Sequence, residues 1–120
     1  MQYLLLIYNR ESEWDAMSEA EKGAIYKDYF SFTESIRGNG HYLGGNPLQG
    51  VATATTVRVR DGKTVTTDGP FAETREQLGG YYLIEAKDLD DAIGVAARIP
   101  GARIGAIEVR PIAPMPARPQ

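Results

Sequence analysis

Three carboxylates within one short stretch carry the clearest chemical potential of this sequence: Asp68, Glu73 and Glu76. The stretch begins as Asp68-Gly69-Pro70-Phe71-Ala72-Glu73, and we call residues 68–76 the acidic connection. Glycine reaches backbone angles denied to other residues, and proline fixes φ, so a sharp and rigid turn is predicted. A carboxylate held by such a turn could act as a general base or orient a substrate hydroxyl. The alternative is that Asp68 accepts hydrogen bonds from the backbone of its own turn.

Glu73 and Glu76 are candidate partners of Asp68 in an acid/base set. Carboxylates that share an apolar site have their proton affinities pushed apart, so that one can donate a proton while another accepts. Arg75 lies between the two glutamates and could neutralise them. A solvated charged turn is therefore the alternative to a catalytic set.

Five further side chains are candidates for substrate binding. Phe71 is held by the same turn as Asp68, and the guanidinium of Arg58 could bind an anionic group, although edge arginines commonly serve solubility. Tyr29 and Tyr81 could line a pocket for a ring, or they could form core or dimer contacts. His41 could titrate near neutrality, although a lone histidine at the start of a strand is typically a surface or packing residue.

Standard cofactor motifs are not found in the sequence. Gly79-Gly80 lacks the strand–turn–helix context of a phosphate loop. One histidine and no cysteine argue against a transition-metal site. No segment has the ligand pattern of a Mg²⁺ or Ca²⁺ loop. We therefore predict neither a cofactor nor a metal.

Length and charge limit the class of protein. At 120 residues the chain is expected to form one domain. Its net charge is −3 and its basic residues are scattered, which argues against nucleic-acid binding. The apolar run 4–7 is too short to span a membrane and lacks the flanks of a signal peptide. A complete, cytoplasmic protein is predicted.

The pattern of hydrophobic residues predicts the order of elements. A strand over 2–8 precedes a helix that begins at the capping box Ser18–Glu21 and ends at 38–40. A strand at 41–44 is followed by a hairpin, 54–60 and 63–67, joined by Asp61-Gly62. A strand over 81–86, a helix capped by Asp88 and a strand over 105–110 complete the domain. The second helix is expected to bury its apolar face, which comprises Leu89, Ala92, Ile93, Ala96 and Ala97.

This order is the βαββαβ pattern of a ferredoxin-like α+β fold with an inserted β-hairpin. We predict a domain over residues 1–112 and a proline-rich tail over 113–120. Two helices cover only one face of such a sheet, so two copies packed on their bare faces, a homodimer, would hide the other.

A family resemblance rests on Asp68 to Tyr82 and, more weakly, on residues 88–92. The sequence resembles the DGPF branch of the YCII-related family along nearly its whole length. The resemblance implies a dimeric α/β barrel and, from the genes beside relatives, an extracytoplasmic-function sigma factor as a partner. The YCII-like branch is thought to use a histidine in its first helix together with an aspartate. Tyr29 falls near that place here and His41 lies beyond the helix, so that mechanism is not carried over.

Two functional hypotheses follow. The first is a cofactor-independent enzyme, an isomerase or lyase acting on a small cyclic acid, with Asp68 as base. The second is a non-catalytic regulatory module that binds a sigma factor or a metabolite.

Overall fold

The computed structural model describes residues 1–118 and contains an α+β fold. Its strands and helices follow the predicted order, with one short helix added near the start. The elements are β1 (Gln2–Asn9), α1 (Glu11–Asp15), α2 (Glu19–Gly38), β2 (Tyr42–Pro47), β3 (Thr55–Arg60), β4 (Lys63–Asp68), β5 (Gln77–Glu85), α3 (Leu89–Arg98) and β6 (Ala106–Pro111), with 3₁₀ turns at Val51–Thr53 and Pro100–Arg103.

Four strands form an antiparallel sheet in the order β2-β5-β1-β6. β1 and β5 are the central strands, and Leu5 lies opposite Tyr82 while Leu6 lies opposite Tyr81. Successive side chains of a strand point to opposite faces. Tyr82 and Tyr81 therefore belong to different faces of the sheet.

The helical face of the sheet contains the core. The buried side chains come from β1, β5, α2 and α3 and from the residues just beyond β5 and α3, Ala86 and Ile99. The largest fully buried ones are Leu5, Ile36, Ile84 and Ile99. On the opposite face the side chains remain half-buried, and we call this the open face. Its members on the central strands are Leu4, Leu6, Tyr8, Leu78, Tyr81 and Leu83, and on β6 Glu108 lies beside Leu6 and Arg110 beside Leu4.

α2 begins and ends where the sequence predicts. The Ser18 hydroxyl accepts from the Glu21 amide, and the Glu21 carboxylate accepts from the Ser18 amide, so the capping box is confirmed. The helix ends at Gly38, and Gly40 beyond it takes a φ of 87°. Phe32 and Ile36 are buried as predicted.

The predicted face of α3 is partly wrong. Asp88 caps the helix, and Ala92 and Ala96 are buried as expected. However, Leu89 and Ile93 are about half-exposed, at 49% and 48%, Ala97 is exposed as well, and Val95 is buried instead. The face of α3 that packs on the sheet is therefore rotated by about one residue from the face that the periodicity predicted.

The inserted hairpin, β3 with β4, is a separate two-stranded sheet that we call the arm. Asp61 and Gly62 both take positive φ in its turn, at 52° and 74°. Arg58 lies opposite Val65 and Val57 opposite Thr66, which confirms the predicted register. The predicted tail, 113–120, is exposed without regular structure through Arg118, and its last two residues lie outside the described residues.

Candidate functional site

The acidic connection starts at the root of the arm. Asp68 is the last residue of β4 and lies opposite Thr55. Gly69 has a φ of 108°, a conformation open essentially to glycine alone, as the sequence predicted. Its amide donates to the Ala54 carbonyl at 2.8 Å, and its carbonyl accepts from the Thr56 hydroxyl at 2.9 Å. The turn is thus tied to the start of β3 through its backbone.

The Asp68 carboxylate accepts no hydrogen bond from residues 1–118, and the side chain is exposed. The amide of Gly69 donates to Ala54 and so does not occupy it. The carboxylate therefore keeps its acceptor sites available, which is what a group that contacts a ligand requires.

A groove of about 290 Å³ lies beside the connection. Its apolar walls come from Val51, Pro70 and Ala72, and its polar groups from Glu73, Thr74 and Gln77. Glu73 is thus the predicted carboxylate that lines it. Asp68 does not line this groove, and Glu76 is half-buried beyond it.

Glu11 in α1 is hydrogen-bonded to two residues that line the groove, a role that the sequence did not predict. Its carboxylate accepts from the Val51 amide at 2.9 Å, and its own amide donates to the Gln77 side chain at 3.0 Å. Gln77 also donates to the Thr74 carbonyl at 2.7 Å. The base of the arm is therefore held to the domain by hydrogen bonds between residues distant in sequence.

Arg58 and Phe71 meet on the surface beside the turn. The Arg58 guanidinium carbon lies 5.7 Å from the centroid of the Phe71 ring, within the range of a cation–π contact. The Phe71 side chain is 81% exposed. Arg75 forms no salt bridge with either glutamate within residues 1–118, so the neutralisation considered above is not observed there.

Tyr29 and Tyr81 lie on opposite sides of the sheet, so one chain cannot bring them into one pocket. The Tyr29 hydroxyl accepts from the Gly101 amide at 3.1 Å on the helical side. Burial raises the pKa of Tyr29, and the Gly101 hydrogen bond lowers it in part. Tyr81 is on the open face, where its hydroxyl accepts from the Asn46 side chain at 3.0 Å.

His41 lies at the far end of β2 from the groove, where it contacts Asp91 of α3. Its Nε2 is 3.1 Å from one carboxylate oxygen of Asp91, and its Nδ1 is 2.7 Å from the Asn39 side-chain oxygen. A hydrogen bond from the Lys87 amide lowers the pKa of Asp91, and the contact with His41 adds to this. This His–Asp pair joins β2 to the start of α3, and the sequence did not predict it.

A second hollow, of about 270 Å³, lies between α3 and β6. All of its lining side chains are aliphatic: Ile93, Ala96, Ala97, Ala102, Ile107 and Val109. It has no side chain that could orient a ligand. Among residues 1–118 there is also no group of three or more acidic, histidine or cysteine side chains placed to hold a metal ion. No helix within that range is long and apolar enough to cross a membrane.

These features define a class of protein, an α+β domain of βαββαβ order with one open sheet face and a groove at the base of an inserted arm. The chain matches the YCII-related domain family over residues 1–116. It is also similar to an uncharacterised protein of Rhizobium meliloti (strain 1021), with 37% identity over 115 residues that cover 94% of this chain and 93% of that protein. The chain therefore belongs to the YCII-related family.

Proposed function

We propose that the protein is a homodimer that binds a small molecule at the acidic connection. The groove there combines apolar walls with a carboxylate and an amide, which is the composition typical of small-ligand sites. Its volume of about 290 Å³ lies just below the usual range of roughly 300–1,000 Å³. A compact ligand, such as a small cyclic acid, suits this size.

The open face supports the dimer. Leu4, Leu6 and Leu83 lie close together there and remain half-buried in the single chain. Packing two such faces together would remove apolar surface from water, which favours association by about 25 cal/mol per Å². A symmetric pair of sheets would form the dimeric α/β barrel that the family resemblance implies. Assignment to the DGPF branch belongs to this proposal and is based on residues 68–82.

The chemistry we propose is a cofactor-independent reaction of the isomerase or lyase type, with Asp68 as the base. The observation that carries this proposal is that the turn fixes the backbone beside Asp68, whereas the exposed Asp68 carboxylate accepts no hydrogen bond from residues 1–118. Arg58 lies on the other side of the arm from Asp68, so Arg58 and Phe71, which are in cation–π contact, would hold an anionic group and a ring of the ligand only where it extends past the edge of the turn. Glu73 lines the groove and Asp68 does not, so Glu73 would exchange a proton with a ligand that extends from the groove past Pro70 to Asp68.

Ligand screening tests this proposal. Small cyclic carboxylic acids would be screened by thermal shift, and compounds that raise the melting temperature would then be assayed for turnover. We expect Asp68→Asn to abolish turnover and Glu73→Gln to weaken binding. Asp61→Asn, at the tip of the arm, is the matched control and should leave both unchanged. Full turnover by the Asp68→Asn variant would remove Asp68 from the mechanism.

Binding without turnover is the second candidate. Asp68 and Glu73 are both exposed, and the side chain of neither is hydrogen-bonded to another residue within 1–118, so a single chain contains no assembled acid/base pair. A regulatory module that binds a metabolite or a sigma factor would need none. Pull-down with tagged protein separates the two candidates, since the regulatory one requires a stable protein partner.

A further inference from the structure

His41 is the one histidine of the chain, and both nitrogens of its ring face oxygen atoms. Its Nδ1 is 2.7 Å from the side-chain oxygen of Asn39, the residue that follows α2. Its Nε2 is 3.1 Å and 3.2 Å from the two carboxylate oxygens of Asp91, in the first turn of α3. The ring therefore lies between the end of one helix and the start of the other.

These two contacts need a proton on each ring nitrogen. A neutral imidazole has one N–H group and one nitrogen that can only accept, whereas the imidazolium donates from both nitrogens. With a proton on Nδ1 alone, the lone pair of Nε2 would face the Asp91 carboxylate. With a proton on Nε2 alone, the lone pair of Nδ1 would face the Asn39 oxygen. Only the charged ring makes both hydrogen bonds.

The orientation of the Asn39 side-chain amide matters here, because a reversed amide would turn its N–H groups toward Nδ1. The backbone amide of His41 favours the orientation described. It donates to the Ile36 carbonyl at 3.0 Å and also to the Asn39 side-chain oxygen at 3.2 Å. Reversal would set the Asn39 N–H groups against that backbone N–H. The oxygen of Asn39 therefore faces the ring.

Negative charge predominates where α3 meets the ring. Asp88 is the N-cap of α3, and Asp90 and Asp91 are in its first turn. Together they outweigh the partial positive charge of a helix N-terminus, which is about half an elementary charge. The side chains of His41 and Asp91 are 19% and 27% exposed, so water screens their attraction only in part.

The remaining charged groups nearby do not face the ring with a cation. Arg37, in the last turn of α2, lies with its guanidinium carbon 4.6 Å from the centroid of the Tyr42 ring. Lys87 contacts Asp91 through its backbone amide, at 2.9 Å. The carboxylate of Glu85, at the end of β5, is paired with the N-terminal ammonium at 3.1 Å. The group that contacts the ring directly is therefore the Asp91 carboxylate.

We propose that His41 is a proton-operated latch that joins the end of α2 and the start of β2 to the first turn of α3. When the ring is protonated, both hydrogen bonds form and the latch is closed. When the ring loses its proton, a lone pair faces an oxygen at one of the two contacts and the latch opens. The latch lies within one chain and requires neither the ligand nor the second copy of the proposed function.

The position of the latch determines what it would loosen. β2 is an outer strand of the four-stranded sheet, next to β5. The Glu85 amide donates to the His41 carbonyl at 2.8 Å, and this backbone bond remains when the latch opens. The side-chain link to α3 is lost. The contribution of the latch to stability is therefore full below about pH 6 and is lost as pH rises further, since the folded chain uses the proton.

¹⁵N NMR of the single imidazole tests the latch directly, because it distinguishes the charged ring from each neutral form. The folded protein and the same protein unfolded in urea would be titrated over the same pH range. At about pH 6.5 half of the rings should be charged in urea, whereas nearly all should be charged in the folded protein. Identical titrations in the two states, or a folded ring that is neutral at this pH, would overturn the latch.

Asp91→Asn separates the latch from a packing contact. Asparagine can donate to Nε2, so the neutral ring with its proton on Nδ1 would then make both hydrogen bonds. The titrations of the folded and unfolded variant should therefore coincide. Asp90→Asn, in the same helical turn, is the matched control and should leave the difference between the two states unchanged. A difference that persists in the Asp91→Asn variant would remove Asp91 from the latch and overturn the proposal.

Melting temperatures give the second measurement. His41→Phe keeps a ring at this position but removes both N–H groups. We expect it to lower the melting temperature by about 4 °C or more at pH 6 and by much less at pH 9, where the wild-type ring has also lost its proton. An equal loss at both pH values would show that His41 only packs, and would overturn the latch.

Discussion

The hydrogen bond between the Tyr29 hydroxyl and the Gly101 amide should stabilise the folded chain. The two atoms are 3.1 Å apart, Gly101 is buried, and its amide has no other acceptor within residues 1–118. Tyr29→Phe would leave that amide unsatisfied. A buried donor without a partner costs about 1–3 kcal/mol, and we expect the free energy of unfolding to fall by that amount.

The reciprocal change is Gly101→Ala. A Cβ at this position would lie 2.6 Å from the Tyr29 hydroxyl oxygen and 3.1 Å from a methyl group of Ile7. The hydroxyl must therefore move, and the same hydrogen bond is lost, at a cost of about 1–3 kcal/mol. Both changes remove the same interaction. The double variant should therefore lose less free energy of unfolding than the two single variants lose together, by about 0.5–3 kcal/mol.

Urea denaturation at one fixed protein concentration measures these values, since an oligomer would make stability depend on concentration. Tyr26→Phe is the matched control, because Tyr26 is on the same helix, is 51% exposed and has no hydrogen bond from its hydroxyl within the described residues. A loss below about 0.5 kcal/mol for Tyr29→Phe, or strict additivity with Gly101→Ala, would refute the reasoning.

Three other predictions concern pH and backbone conformation. Burial raises the pKa of Tyr82 in the folded chain, so Tyr82 ionises first in the unfolded chain, near pH 10. Stability should therefore fall as pH rises above that value. Tyr82→Phe should make the urea midpoint depend less on pH in this range. The pKa of Asp91 is lowered in the folded chain, so its contribution to stability is present above about pH 4 and is lost as pH falls further. Asp91→Asn should therefore lower the melting temperature at pH 7 but not at pH 2. The control, Asp90→Asn in the same helical turn, should change the melting temperature little at either pH. Gly69→Ala should destabilise the protein by about 1 kcal/mol or more because Gly69 has a positive φ. Gly23→Ala, in an exposed and uncrowded turn of α2, should stabilise the protein by about 0.5–1 kcal/mol. Urea denaturation measures both changes.

Local features were predictable from the sequence because their causes are local. The capping box needs only Ser18 and Glu21, three residues apart, and the structure contains both of its hydrogen bonds. The register of the arm follows from the two-residue turn Asp61-Gly62, which accepts only one pairing of the flanking strands. The positive φ of Gly69 agrees with the sharp turn predicted from a glycine followed by a proline.

Features set by packing were not predictable in this way. Periodicity alone allowed Leu89 and Ile93 as core residues, but the sheet approaches α3 on the side of Val95. Glu11 was missed because the groups it joins, Val51 and Gln77, are 40 and 66 residues away in sequence. One sequence contains no information on such pairs unless a motif marks them.

The distribution of satisfied and unsatisfied polar groups favours one end of the molecule as the place of a ligand. On the helical side, the hydroxyls of Tyr29 and Tyr82 are each engaged, by Gly101 and by Thr33 at 2.7 Å, and the hollow beside α3 is lined by aliphatic side chains alone. A ligand there would find nothing to fix its orientation. The unused carboxylate of Asp68, the polar groove and the uncovered side of the arm all lie at or beyond the root of the arm. A ligand that polar groups must orient is therefore expected at that end of the molecule.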